Sequence, residues 1–194
     1  MTEQRYKLTA GPEGYLAPAA AIMGVVSPDV GYALSSGDIV PEDEALALAA
    51  EKLAKARNPA VCPGPLLLWH WSDSVPAKAA AVRAMAEACK AKLLPMPDYR
   101  AKSPRINPEI EINPNHPSLT IQHNNIDVCL FVGMHLHFAN MALRLIRGAT
   151  NCYTIALSDT AAIDEAILSV RDVDVGKIGI ITERIKRLKD LKGN

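Results

Sequence analysis

Two histidines one residue apart follow an apolar, strand-like stretch in DVCLFVGMHLHFAN, residues 127–140. Side chains at positions i and i+2 of an extended segment point the same way, so His135 and His137 could bind one metal ion. His116 and His123 precede the same strand and could add ligands. However, no HExxH or comparable frame is present, and a helix beginning between the two residues would turn the rings apart. We therefore predict structural or partner-facing histidines and no metal site.

The segment WHWSDS, residues 69–74, could cap a helix N-terminus or bind a ligand there. Ser72, Asp73 and Ser74 lie between an apolar run and a helical pattern, where such residues cap helices. The same position could hold a phosphate group. The segment is neither GxGxxG nor a Walker loop, and Gly64 precedes the strand predicted here rather than following it. Helix capping is the default interpretation, and nucleotide binding is the alternative.

The segment LSDTAAIDE, residues 157–165, places an acidic residue after a predicted strand. Asp159 and Thr160 could bind ribose hydroxyl groups, as acidic residues do in dinucleotide sites, or could cap a helix. Gly133 ends the neighbouring predicted strand and would border the same site. No GxSxG elbow is present, and spacing alone defines no Ser/His/Asp or Cys/His set. No catalytic residue is predicted.

The elements that must position these residues alternate between helix and strand. Helices are predicted in PEDEALALAAEKLAKARNPA (41–60), VPAKAAAVRAMAEACKAK (75–92), ANMALRLIRGA (139–149), TAAIDEAILSV (160–170) and the tail from residue 172. Strands are predicted in PGPLLLWHW (63–71), AKLLPMP (91–97), DVCLFVG (127–133) and NCYTIALSD (151–159), with a loop at 98–118 and a short strand or turn in SLTIQHNN (118–125).

This alternation predicts an α/β, Rossmann-like fold with a doubly wound, mostly parallel sheet and helices on both faces. Ligands bind such sheets at the carboxyl ends of the strands, where the three segments above would lie. Residues 1–42 are broken by Gly and Pro and are predicted to be an irregular N-terminal arm, packed on its own domain or on a partner. Residues 43–194 are predicted to form the α/β domain.

Composition narrows the expected partners and cellular location. Lys plus Arg and Asp plus Glu are 21 each, so the chain has no net charge and nucleic acid is an unexpected partner. Cys62, Cys89, Cys129 and Cys152 form no CxxC pair and lie among apolar neighbours, which predicts buried, reduced thiols in the cytoplasm. No signal-peptide pattern begins the chain, and no apolar run is long enough to cross a membrane.

Residues 43–97 and 125–160 resemble the epsilon subunit of archaeal carbon monoxide dehydrogenase/acetyl-CoA synthase complexes. The resemblance lies in KARNPAVCPGPLLLWHWSDSVPAKAAAVRAMAEACKAKLLPMP and in IDVCLFVGMHLHFANMALRLIRGATNCYTIALSD, which share that family's order of helices, strands and turns. Here Met134, His135 and His137 replace aromatic residues that follow the family's central strand. Epsilon subunits in turn resemble the nucleotide-binding middle domain of thiamine-diphosphate enzymes.

The resemblance implies an accessory, non-catalytic subunit of an oxidoreductase complex that binds a large catalytic metallo-subunit. It implies a contribution to electron transfer or assembly, with no firm cofactor; a flavin or an adenine nucleotide is the class expected if one binds. Residues at strand ends would meet the partner: Trp69, Trp71, Met134, His135, His137 and Phe138. The alternative is a stand-alone nucleotide-, flavin- or CoA-binding domain using Ser72, Asp73, Ser74, Gly133, Asp159 and Thr160.

Overall fold

A computed structural model describes residues 28–97 and 107–191 of the chain. Within these ranges, the strands are β1 (Tyr32–Ser35), β2 (Asp38–Pro41), β3 (Pro59–Pro63), β4 (Lys92–Leu93), β5 (Val128–Val132), β6 (Tyr153–Leu157) and β7 (Leu168–Val170). These seven strands form one sheet in the order β2-β1-β7-β6-β5-β3-β4. The five strands from β7 to β4 are parallel, while β1 pairs antiparallel with both β2 and β7.

Helices cover both faces of the sheet, because each central strand alternates its apolar side chains between the two sides. The described helices are α1 (Glu42–Lys55), α2 (Pro65–Leu68), α3 (Val75–Cys89), α4 (Pro117–His123), α5 (Leu136–Ala149) and α6 (Val175–Asp190). In β5, Val128, Leu130 and Val132 join the core under α1, α3 and α6, whereas Cys129 and Phe131 join the core under α4 and α5. The predicted doubly wound, Rossmann-like fold is confirmed.

The hairpin of β1 and β2 corrects the prediction of an irregular arm over residues 1–42. Ser36 and Gly37 form its two-residue turn, with φ values of 53° and 89°. Positive φ at both turn residues matches the twist of paired strands, so the turn closes a tight hairpin. The hairpin extends the sheet beside β7. Residues 1–27 of the predicted arm lie outside the described residues.

Three other predicted elements are wrong. PGPLLLWHW is not a strand; the strand β3 ends at Pro63, and the run of three leucines lies in the short helix α2. SLTIQHNN lies largely in helix α4 rather than in a strand. TAAIDEAILSV is not helical. Its last three residues form strand β7, which pairs in parallel with β6.

All four cysteines are free and buried, as predicted. Among the described residues, we find no helix both long and apolar enough for a membrane span.

Candidate functional site

The sheet reverses its winding between β3 and β5. From β3 the chain crosses to β4 on one side, whereas β5, β6 and β7 follow on the other side. The carboxyl ends of β3 and β5 therefore meet at a topological switch point, the usual ligand position of doubly wound sheets. We call this side of the parallel strands the carboxyl edge and the opposite side the amino edge. Gly64 and Gly133 follow directly after the two strands.

At the switch point, the loops after β3 and β5 touch. The Gly64 N–H donates to the Val132 carbonyl over 2.9 Å, and the Leu66 N–H donates to the Gly133 carbonyl over 3.0 Å. A β-carbon placed on Gly64 would lie 2.0 Å from Met134 Sδ and 2.6 Å from the Gly133 oxygen. Gly64 is thus required by close approach of the second loop, and Met134 is 4% exposed beneath it.

Helix α2 fills the other half of the switch point. Gly133 has a φ of 65°, a conformation that favours glycine, and a β-carbon there would lie 2.5 Å from Leu67 Cγ. Leu67 is 8% exposed. Pro65 supplies a helix start with φ already set, so the chain turns into α2 immediately after Gly64. Two glycines therefore let an apolar side chain from each loop pack across the crevice.

Ser72, Asp73 and Ser74 lie just before α3, but they do not cap it with their side chains. Ser74 occupies the cap position without a side-chain hydrogen bond to the helix, so the predicted capping is wrong. The Ser72 and Ser74 hydroxyl groups bond each other over 2.9 Å instead, and the Val75 N–H donates to the Ser72 carbonyl.

Asp159 and Thr160 follow β6 at the same edge. Lys78, in the first turns of α3, donates a short hydrogen bond to Asp159 and another of 2.6 Å to the Val173 carbonyl. Both members of the Lys78–Asp159 ion pair are largely covered. The Thr160 N–H donates to Ser158 Oγ over 3.3 Å. Asp159 is thus engaged in joining α3 to two loops, a role that sequence reasoning missed because Lys78 has no motif around it.

His135 and His137 share one side of the chain. Their ring centroids are 5.9 Å apart with an interplanar angle of 22°, and the His137 ring lies 4.5 Å from that of Phe138. Helix α5 begins at Leu136, so the expectation that a helix start between the two histidines would separate the rings is wrong. Among the described residues, no group of three or more His, Cys, Asp or Glu is placed to hold a metal ion.

The tryptophans project from the end of α2. Trp69 is 49% exposed and Trp71 is 62% exposed. Trp71 Nε1–H donates to the Leu66 carbonyl over 2.9 Å, which ties the indole back to α2. Of the predicted partner-facing residues, the tryptophans and both histidines are exposed and Phe138 is half-buried, whereas Met134 is buried.

A small hollow lies behind α2, on the side of β4. Its volume is about 200 Å³, and its lining is apolar apart from Arg83. Sites for drug-sized ligands usually have volumes of about 300–1,000 Å³. The residues that close the switch point, Gly64 and Leu67, were not predicted as site residues, because the strand before them was placed too late in the sequence. The Gly-Pro pair at 64–65 was the available indication of a turn.

Fold and site together describe a doubly wound α/β domain whose usual ligand position is filled by its own side chains. The comparisons identify the family. The model of the family described as CO dehydrogenase beta subunit/acetyl-CoA synthase epsilon subunit matches residues 26–183. The chain belongs to this family, and the predicted resemblance is confirmed.

One solved structure that matches the chain is titled "X-ray structure of a putative thiamin diphosphate-dependent enzyme isolated from Mycobacterium smegmatis". The alignment has a TM-score of 0.42 and 17% sequence identity, and it covers 90% of this chain. The chain spans only 31% of the length of that enzyme. No curated protein matched the chain.

Proposed function

We propose that this chain is an accessory, non-catalytic subunit of a cytoplasmic complex of the carbon monoxide dehydrogenase/acetyl-CoA synthase type. It binds the large catalytic metallo-subunit and assists assembly or electron transfer. Membership of the family supports the complex, since the family is named for subunits of these two enzymes. The exposed aromatic side chains at the carboxyl edge support binding of the large subunit at that edge.

The observation that carries the proposal is the exposure of aromatic side chains on adjacent loops. Trp69 and Trp71 project from the segment after β3. His135, in the loop after β5, and His137, in the first turn of α5, are also exposed. These loops are held together by hydrogen bonds and by packing at Gly64 and Gly133. Tryptophan is enriched at the energetic centres of protein interfaces, because an indole buries a large area at low conformational cost.

Direct binding to the large subunit tests the proposal. We expect the two proteins to co-purify in a fixed ratio when expressed together. The double substitution Trp69→Ala and Trp71→Ala should weaken binding by a factor of about 100 or more, since a tryptophan at an interface centre contributes about 2 kcal/mol or more. Leu119→Ala is the matched control, because Leu119 is an exposed apolar residue, 57% accessible, that belongs to α4 and not to these loops.

Two results would overturn the proposal. One is a chain that only self-associates and never binds the large subunit. The other is a tryptophan double variant that binds as tightly as the unchanged protein. Because Trp69 and Trp71 are the chain's two tryptophans, intrinsic fluorescence reports this edge directly, and its emission should shift to shorter wavelength when the partner covers the indoles.

A further inference from the structure

We propose that α2 and Met134 form a plug that replaces a nucleotide at the switch point, and that this plug presents Trp69 and Trp71 to a protein partner. The first part rests on the packing of the chain itself. The second part rests on the proposed function.

A flavin or adenine nucleotide, the class expected from sequence, does not fit between the loops after β3 and β5. In doubly wound sheets this crevice admits the ligand. Here a single β-carbon on Gly64 would lie 2.0 Å from Met134 Sδ, and one on Gly133 would lie 2.5 Å from Leu67 Cγ. Where one added carbon atom overlaps existing atoms, a pyrophosphate group has no room.

At the starts of α2 and α3, several backbone groups that could hold a phosphate are engaged or missing. Phosphates bind helix N-termini through free N–H groups. The Leu66 N–H of α2 donates to the Gly133 carbonyl, and the Val75 N–H of α3 donates to the Ser72 carbonyl. Pro76, at the second position of α3, has no N–H. Lys78, the nearest cation on α3, is engaged by Asp159 and the Val173 carbonyl.

The plug has an inner and an outer side. Leu67 packs inward against Gly133, while Trp69 and Trp71 are exposed at the end of the same short helix. The peptide groups of Leu66 connect the two sides: its N–H bonds the Gly133 carbonyl and its carbonyl accepts the Trp71 indole N–H. The residues that close the crevice therefore also fix the position of an exposed indole. The partner surface that fits is an apolar one with room for two indoles.

Ligand binding to the isolated chain tests the first part. FAD, NADH, ATP and CoA, each at about 1 mM, should raise the melting temperature by less than about 1 °C. A ligand at 100 times its Kd would raise it by several degrees. A rise of 3 °C or more together with a change in tryptophan emission would overturn the plug. A rise without a change in emission places the ligand elsewhere and leaves the plug standing.

Partner binding by plug variants tests the second part. Leu67→Ala should weaken binding to the large subunit about tenfold and shift tryptophan emission, although Leu67 itself is only 8% exposed. The matched control is Leu53→Ala, which truncates a buried leucine of α1 outside the plug and should bind normally. If Leu67→Ala does not fold, the milder Leu67→Val replaces it, with an expected weakening of about threefold.

A Leu67 variant with unchanged affinity and unchanged emission would contradict the second part. The two proposals fail in different ways. If the unchanged chain does not bind the large subunit, the proposed function is wrong, while the nucleotide measurements still decide whether the crevice is plugged.

Discussion

The two edges of the parallel strands are filled in different ways. At the carboxyl edge, Leu67 and Met134 pack against backbone at the switch point, and the hollow of about 200 Å³ beside α2 has an apolar lining apart from Arg83. At the amino edge, a polar hollow of about 210 Å³ remains open to solvent. Its lining residues are Arg57, Asn58, Pro59, Lys90, Lys92, Asn124 and Ile126.

The difference shows that helix polarity alone does not create a ligand site. Helices α1 and α3 end at the amino edge, where cations such as Lys90 complement the partial negative charge of the last carbonyl groups. Helix N-termini at the carboxyl edge usually favour anions, but here two glycines let side chains occupy that space first. The local sequence at Gly64–Leu67 therefore decides whether the ligand crevice at the switch point of this common fold is open.

The largest expected effect is at the carboxyl edge. Gly64→Ala should lower the free energy of unfolding by about 3 kcal/mol, because the new methyl group overlaps Met134 Sδ and the Gly133 oxygen. Chemical denaturation measures this change. The double variant with Met134→Ala should recover only part of the loss, since the backbone oxygen remains. A Gly64→Ala protein as stable as the unchanged one would mean that the crevice is not packed.

A smaller loss is expected at the amino edge from Asp127→Ala. The two carboxylate oxygens of Asp127 accept the N–H groups of Arg57 and Asn58 over 2.8 and 2.9 Å. These bonds fix the entry to β3, and we expect their loss to cost about 2 kcal/mol in urea denaturation. Asp127→Asn keeps one acceptor oxygen, so it should lose about half as much. Equal losses in the two variants would contradict this account.

The sequence alone predicts the elements whose patterns are local. The strand β5 and the helices α1 and α3 were found because their apolar spacing repeats within one segment. The β1–β2 hairpin was missed, although Ser36-Gly37 between two short apolar runs is a recognisable turn. The pattern of TAAIDEAILSV predicts a helix, but its last residues form strand β7 because they pair with β6 and with β1, and β1 lies far away in sequence.

The candidate site was less predictable than the fold. The order of elements alone predicts His135 and His137 just after a strand, as found, whereas Trp69 and Trp71 follow helix α2 and not the strand predicted over 63–71. By contrast, the closure of the crevice depends on contacts between Gly64 and Met134, which are 70 positions apart. Apolar runs such as PLLL do not distinguish a strand from a short helix, so the position of the plug could not be read from periodicity.

Buried thiols allow the opening of each edge to be measured separately. Cys62 lies near the carboxyl end of β3, and Cys129 lies near the amino end of β5. Burial raises the pKa of the Cys62 thiol well above its ordinary value of 9.0, and a hydrogen bond with Cys152, together with burial, raises the pKa of Cys129 likewise. Thiolates are the reactive form, so neither thiol should react with a thiol reagent in the native state at pH 8.

The raised pKa values also fix a pH dependence of stability. Below about pH 8 both the folded and the unfolded chain keep these thiols almost fully protonated, so stability there does not depend on their titration. Above about pH 8 the unfolded chain loses the protons first, and stability should fall by about 1–2 kcal/mol per thiol by pH 10. Cys62→Ser and Cys129→Ser identify each contribution. Rapid labelling of Cys62 alone would show that the carboxyl edge opens and would contradict its tight packing.

The smallest expected effect on stability is at two glycines that, unlike Gly64, have open surroundings. Gly148 on α5 and Gly179 on α6 have nothing within 4 Å of an added β-carbon, unlike Gly64. Alanine is favoured over glycine within a helix, by about 1 kcal/mol at an interior position. Gly148→Ala and Gly179→Ala should therefore raise the free energy of unfolding by about 0.5–1 kcal/mol each, and because the sites are on different helices the two gains should add. If instead either substitution destabilises the chain, that glycine is packed against other atoms, and its site is crowded like that of Gly64 rather than open.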